Sequence, residues 1–158
     1  MEKIRWCLKV KNGIELVEPN DNLSKVYLKK SEDALKAAAA LDGNIDWEIS
    51  SSYYTMYFAL YAILMRIGVK CEIHSCTIEF MGRFLSDYFD AEDRKLLKDS
   101  MRMRIDAQYY ADRDISEDES RKMISEAPQF MVQCREVLFR IKDIDIEDIR
   151  KKIEDMQE

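Results

Sequence analysis

Between Ile49 and Met65 the chain reads ISSSYYTMYFALYAILM, a run without a charged residue in a chain that is 35% charged. Placed on a helix, Tyr53, Tyr54, Met56, Tyr57, Phe58, Leu60, Tyr61, Ile63, Leu64 and Met65 cover almost the whole circumference. A helix that is apolar on every side is buried on every side. The small Ser50, Ser51, Ser52, Ala59 and Ala62 let neighbouring helices approach it closely. The pattern predicts a central helix from about Asp46 to Ile67, stopped by Gly68.

The flanking segments are amphipathic at helical spacing. One helix starts at Asn20–Asn22, whose side chains offer cap oxygens, and runs to about Leu41. Its apolar stripe is Val26, Tyr27, Ala34, Leu35, Ala38 and Leu41. After a loop at 69–73, a helix from His74-Ser75 to about Asp90 carries Phe80, Met81, Phe84, Leu85 and Tyr88. The next helix is capped near Asp90 and extends to about Asp112, with Glu92 and Asp93 at the positive end of its dipole. Ser116 to Glu119 reads as a capping box. It opens a helix to about Ile141 that Pro128, lacking a donor for Ile124, should kink. Ile146, Ile149, Ile153 and Met156 form a last seam, suited to strapping a bundle or a dimer.

Residues 2–11 fit both helical and strand spacing, and Asn12-Gly13 suits either a helix stop or a hairpin turn. An isolated hairpin is marginal, so a short helix is preferred, with 14–19 an extended connection. Past residue 20 no strand is needed. The fold class is all-α: an antiparallel four- to five-helix up-and-down bundle with short extra terminal helices. Residues 1–158 form one domain, its core at about 20–142, with 1–19 an extension and 143–158 a C-terminal helix.

A net charge of −6 argues against a generic nucleic-acid binder, though a local basic face is compatible with it. Cys7, Cys71, Cys76 and Cys134 show no CxxC spacing, and one histidine gives no second ligand. They read as reduced thiols of a cytoplasmic protein, with no metal site and no cofactor. The charged N-terminus does not resemble a signal peptide. The 49–65 run is short for a membrane span and rich in Ser and Tyr, so no membrane association is expected.

Candidate chemistry concentrates in the helix after Asp90. By the helix period, Arg104 lies on the same face as Leu97 and Met101, while Arg102, Asp106 and Arg113 face the opposite side. An arginine on an apolar face needs a partner. It either snorkels or pairs within the chain, or it is held for a phosphate. Arg94, Lys95, Lys98 and Arg102 make a basic stripe, either a solvated face or a phosphate contact. Tyr109 and Tyr110 point roughly 120–140° away from Arg104 on an unbroken helix. They meet it only through a helix break or across a two-fold interface. His74, near Cys71 and Cys76, has no third group for nucleophilic catalysis. It reads as an N-cap neighbour whose ring bonds locally.

The segment SSYYTMYFALYAILMRIGVKCEIHS resembles the second-helix block of HEPN domains. The resemblance rests on Tyr53, Tyr54, Met56, Tyr57, Gly68, Lys70, His74 and Ser75, and it extends to RIDAQYYAD through Arg104, Ala107 and Tyr109. It covers roughly residues 22 to 141. It implies a helical bundle, commonly a homodimer, that acts on RNA or a nucleotide, either as an RNA-cleaving toxin or as the partner of a small nucleotidyltransferase in a toxin–antitoxin pair. The ribonuclease motif of that family is an Arg followed after four to six residues by a His. Here Tyr109, Tyr110 and Ala111 occupy those positions. A phenol with a pKa near ~10 is a poor proton exchanger at neutral pH. The expectation is a binding or accessory module without efficient nuclease activity. Arg102, Arg104, Tyr110 and Tyr53 are the candidates for RNA or nucleotide contact. Arg104 with Tyr109, or with Tyr110, is the candidate pair for the alternative of a metal-independent endoribonuclease. A dimeric scaffold is the third alternative. The tyrosines of 53–61 are numerous for a dry core, so part of that helix is expected at a dimer contact near Arg104.

Overall fold

The charge-free run does form the axis of the molecule. In the computed structural model, which describes residues 1–158, helix α3 (Ile45–Ile67) packs against α2 (Asp21–Ala40), α5 (Ala91–Tyr109) and α6 (Glu117–Arg140). Ile49, Tyr53, Met56, Ala59, Leu60, Ala62, Ile63, Leu64 and Ile67 have no accessible surface. Gly68 ends the helix in a left-handed conformation, φ 87°. No helix is long and apolar enough to cross a membrane.

The all-α architecture holds, and four local expectations are corrected. Two-residue strands β1 (Glu15–Leu16) and β2 (Val69–Lys70) pair antiparallel, Glu15 opposite Lys70. A pair this short has no periodicity to read, and the two strands lie far apart in the chain. Helix α4 (His74–Phe84) stops before Asp90 because the buried Leu85 starts a turn. Asp90 then opens α5 with a reciprocal capping box to Asp93. Helix α5 ends at Tyr109 rather than Asp112. On α2 the expected stripe packs inward at Tyr27, Leu35 and Ala38, but Val26 is exposed and the buried Ser24 and Ser31 complete the inward face. Ser24 and Ser31 donate their hydroxyls to the α3 carbonyls of Ala62 and Thr55. Polar side chains thus occupy a helix–helix seam where a hydropathy pattern places apolar ones.

The terminal helices are docked. Helix α1 (Glu2–Cys7) packs on α4, and Cys7 is joined to Cys76 by a disulfide across a Cα separation of 5.5 Å. This overturns the expectation of four reduced thiols. The α1–α4 contact brings together two cysteines 69 positions apart, which no spacing rule reveals. Cys71 and Cys134 are free and buried. Helix α7 (Asp143–Gln157) buries Ile146, Ile149 and Ile153 against the bundle. Its Arg150 donates from Nη1 to the carbonyls of Val17, Ile67 and Gly68, satisfying the Ile67 carbonyl at the end of α3 and sharing the Gly68 carbonyl with the Val17 amide.

Candidate functional site at Arg104

Tyr53, Tyr57 and Tyr61 recur one turn apart on α3, so their rings stack in a ladder. Successive centroids are 5.8 and 5.9 Å apart at interplanar angles of 23°. Each hydroxyl finds a partner. Tyr57 bonds Thr77 at 3.2 Å, and Tyr61 accepts from the Cys71 amide at 3.1 Å. Tyr53 meets His74 Nδ1 at 2.7 Å. These three hydroxyls are therefore satisfied inside the chain, whereas the half-buried Tyr54 makes no hydrogen bond within it.

His74 is the first residue of α4, placed beside α3 by the reversal through Gly68 and β2. Its ring lies flat on Tyr57, with centroids 3.9 Å apart and planes within 12°. Its hydrogen bond therefore reaches back across the fold rather than locally. Burial, and then the positive charge of Arg104, push its pKa down to about 4. At neutral pH the imidazole is uncharged. Burial also raises the Tyr53 hydroxyl well above the ordinary tyrosine range, so this phenol keeps its proton.

The tautomer follows. Tyr53 is fully buried, and His74 is the one hydrogen-bond partner of its hydroxyl. If Nδ1 carried the hydrogen, the phenol O–H would be left buried without an acceptor, at a cost of about 1–3 kcal/mol. Tyr53 therefore donates to Nδ1, and the imidazole hydrogen sits on Nε2. Nε2 makes no hydrogen bond within the chain and is not sealed from solvent.

Arg104 takes the place its helix face predicts, near the buried Leu97 and half-buried Met101. Its guanidinium carbon lies 5.1 Å from the Tyr53 ring centroid and 5.6 Å from that of Tyr54. Both distances are within the range of cation–π attraction. Nη1 donates to Gln108 at 3.1 Å, while the buried Nε has no partner. No carboxylate pairs with it. The Nη2 hydrogens make no bond within the chain.

Of the residues singled out from sequence, Arg104 and Tyr53 come together. Tyr109 is 66% exposed and points away from them by the helix period. Tyr110 is the C-cap of α5, covered by the Arg113 guanidinium at 3.8 Å. Arg102 lies on the outward face, 3.9 Å from Asp99. The basic stripe is largely neutralised. Arg94 and Lys98 bind Glu79 at 2.6 and 3.4 Å, and Lys95 binds Asp99 at 2.7 Å. The cleft of about 360 Å³ between α5 and α6 is rimmed by Glu92, Asp93, Asp99, Glu119 and Glu126. Its acidity suits no phosphate, and it is separate from Arg104. The group that sequence reasoning missed is His74. The signal available was a lone histidine just after the Tyr-rich helix, but no local pattern joins it to Arg104.

A family profile described as the HEPN domain matches residues 24–137, more than half of the chain. The UPF0332 protein glr0978 of Gloeobacter violaceus is 28% identical over 116 residues, covering 70% of this chain and 92% of that protein.

Proposed function

The chain belongs to the HEPN domain family, and from that premise we propose that it is a binding or accessory module for RNA or a nucleotide, without efficient nuclease activity. In this reading it acts as a homodimer alongside a nucleotidyltransferase partner, as the family resemblance suggests. The observation that carries it is Arg104. An arginine held on two tyrosine rings, with no carboxylate partner and most of its donors unused, is an anion receptor waiting for its anion. A half-buried aromatic ring beside it, Tyr54, offers a face for a base.

Turnover is disfavoured on chemical grounds. An effective general base has a pKa near the working pH. His74 is held at about 4, Tyr109 is exposed, and the Tyr110 ring is covered by Arg113. The test is fluorescence anisotropy of a labelled single-stranded RNA with wild type and Arg104→Ala, run beside a total-RNA cleavage assay. Binding that Arg104→Ala abolishes, with no cleavage by either protein, supports the reading. Cleavage that depends on Arg104 would refute the binding-only role. Co-purification from the native host tests the nucleotidyltransferase partner.

A further inference from the structure

His74 is clamped as a contact group would be, from two directions. Tyr57 holds its face, and the Tyr53 hydroxyl fixes its tautomer. The ring whose hydroxyl orients His74 is also the ring that carries the Arg104 guanidinium. A single tyrosine therefore sets the position of both groups. The edge of the imidazole left over is Nε2–H, a directional donor without a partner. Arg104 is the one charged group that acts on His74. In addition, α4 begins at His74 without a side-chain cap, and the amides of His74 and Ser75 donate to no group of the chain.

We infer that His74 Nε2–H is the second donor of the Arg104 site, that Tyr53 positions it, and that the two take a single phosphate monoester carried at the end of an RNA strand or on a free nucleotide. The inference rests on the phosphate-binding role proposed above and narrows its ligand. Proteins that follow a polynucleotide backbone need a row of cations, one for each neutralised phosphate. Of the five basic residues of α5, Arg104 alone makes no ion pair. The neighbouring basic residues of α5 are held by Glu79 and Asp99, and the chain carries a net charge of −6. A monoester presents three terminal oxygens, enough for the guanidinium and the imidazole together. An internal diester presents two. A charge-assisted bond to Arg104 supplies the larger share of affinity, and the neutral N–H supplies direction.

The experiment uses the full chain and three probes: a short 3′-labelled RNA with a 5′-phosphate, the same RNA with a 5′-hydroxyl, and AMP as competitor. The proteins are wild type, Arg104→Ala, His74→Ala, His74→Gln and Tyr53→Phe. The 5′-phosphorylated RNA should bind wild type about tenfold or more tighter than the 5′-hydroxyl form; Arg104→Ala should lose about a hundredfold, and His74→Ala about tenfold, the effect of one neutral hydrogen bond. The glutamine of His74→Gln can donate a hydrogen bond but cannot titrate. It should retain most of the affinity, and this arm stands even if His74→Ala folds poorly. Tyr53→Phe should weaken binding by a smaller factor and convert the His74 ¹⁵N signals from one tautomer to a mixture, which a purely structural role would not do. Competition by AMP at strand-like affinity identifies a nucleotide site, whereas weak competition identifies a strand end. If His74→Ala binds like wild type while Arg104→Ala does not, the role of His74 is overturned and the Arg104 reading survives. Equal binding of the two RNAs overturns the monoester class. No binding of any probe to wild type overturns both readings.

Discussion

His74 is the only histidine in the chain, so its titration is directly observable as a single imidazole resonance. The perturbation is acidification from pH 7 to pH 4. Burial is the larger cause of its lowered pKa and Arg104 the smaller. In the unfolded chain the group titrates near its ordinary ~6.5. Between that value and about 4, the unfolded state binds more protons than the native one, so stability falls as pH drops through this window and is fully retained above it. A shift from ~6.5 to about 4 corresponds to about 3 kcal/mol for a fully enclosed ring. The ring is half-buried, and solvent screening reduces this to about 2 kcal/mol. The assay is an NMR titration of the His74 Hε1 proton, paired with urea unfolding of wild type and His74→Gln at several pH values. The wild-type midpoint should lie well below the ordinary ~6.5, near 4. The urea curves of the two proteins should diverge as pH falls below 6, which separates His74 from the carboxylates that titrate in the same range. In Arg104→Ala the midpoint should rise yet remain below the ordinary value, because burial persists. A wild-type midpoint at 6.5, or one that Arg104→Ala leaves unmoved, would remove the electrostatic link between the two side chains.

Other expectations test the frame around the site. At Gly68, φ is positive and an added Cβ would meet the Val17 carbonyl at 2.5 Å and the Pro19 nitrogen at 2.7 Å. Gly68→Ala should therefore cost at least about 2 kcal/mol in urea unfolding. Gly43 has positive φ but open space, so Gly43→Ala should lose only about 1 kcal/mol. Arg150→Ala removes the donor to three carbonyls and should speed amide hydrogen exchange across α7, with a loss of about 2 kcal/mol that lysine restores only in part. Under non-reducing conditions, thiol titration of the denatured protein should find Cys71 and Cys134 reactive and Cys7 and Cys76 silent. Replacing the bonded pair by serine should cost about 3–4 kcal/mol for a loop of this length. Four reactive thiols would show that the Cys7–Cys76 bond does not form.

What the linear sequence displayed and what it hid divide along a physical line. Periodicity is a local property. The all-round apolar pattern of 49–65 therefore places α3 at the centre, and the helix period puts Arg104 on the same inward face as Leu97 and Met101. The same reasoning explains why Tyr109 and Arg102 do not join it: on an unbroken helix they point elsewhere. The partners that finish the site come from other elements. His74 reaches Tyr53 across 21 positions, and the tautomer argument needs the buried hydroxyl as well as the ring. Cys7 with Cys76, and Arg150 with the end of α3, are long-range pairings of the same kind. Ser24 and Ser31 failed for a different reason. A hydroxyl that can donate to a neighbouring helix carbonyl behaves as a packing residue, and hydropathy scores it as surface.

Those two serines also determine how α2 comes away from the rest. Its buried positions are Ser24, Ser31 and Ala38, so lifting the helix breaks two hydroxyl–carbonyl bonds as well as wetting the half-buried Tyr27 and Leu35 and the apolar face of α3 beneath them. Heat-capacity change and denaturant dependence both scale with the surface exposed. An excursion of α2 would therefore respond to urea and raise the heat capacity in proportion to the α3 surface it uncovers, and it would carry in addition the enthalpy of two hydroxyl–carbonyl bonds. On its inner side lie Tyr27 and Tyr61, edge to face at 4.7 Å. The tyrosine ladder thus has one side wall held by buried hydroxyls as well as by apolar contact.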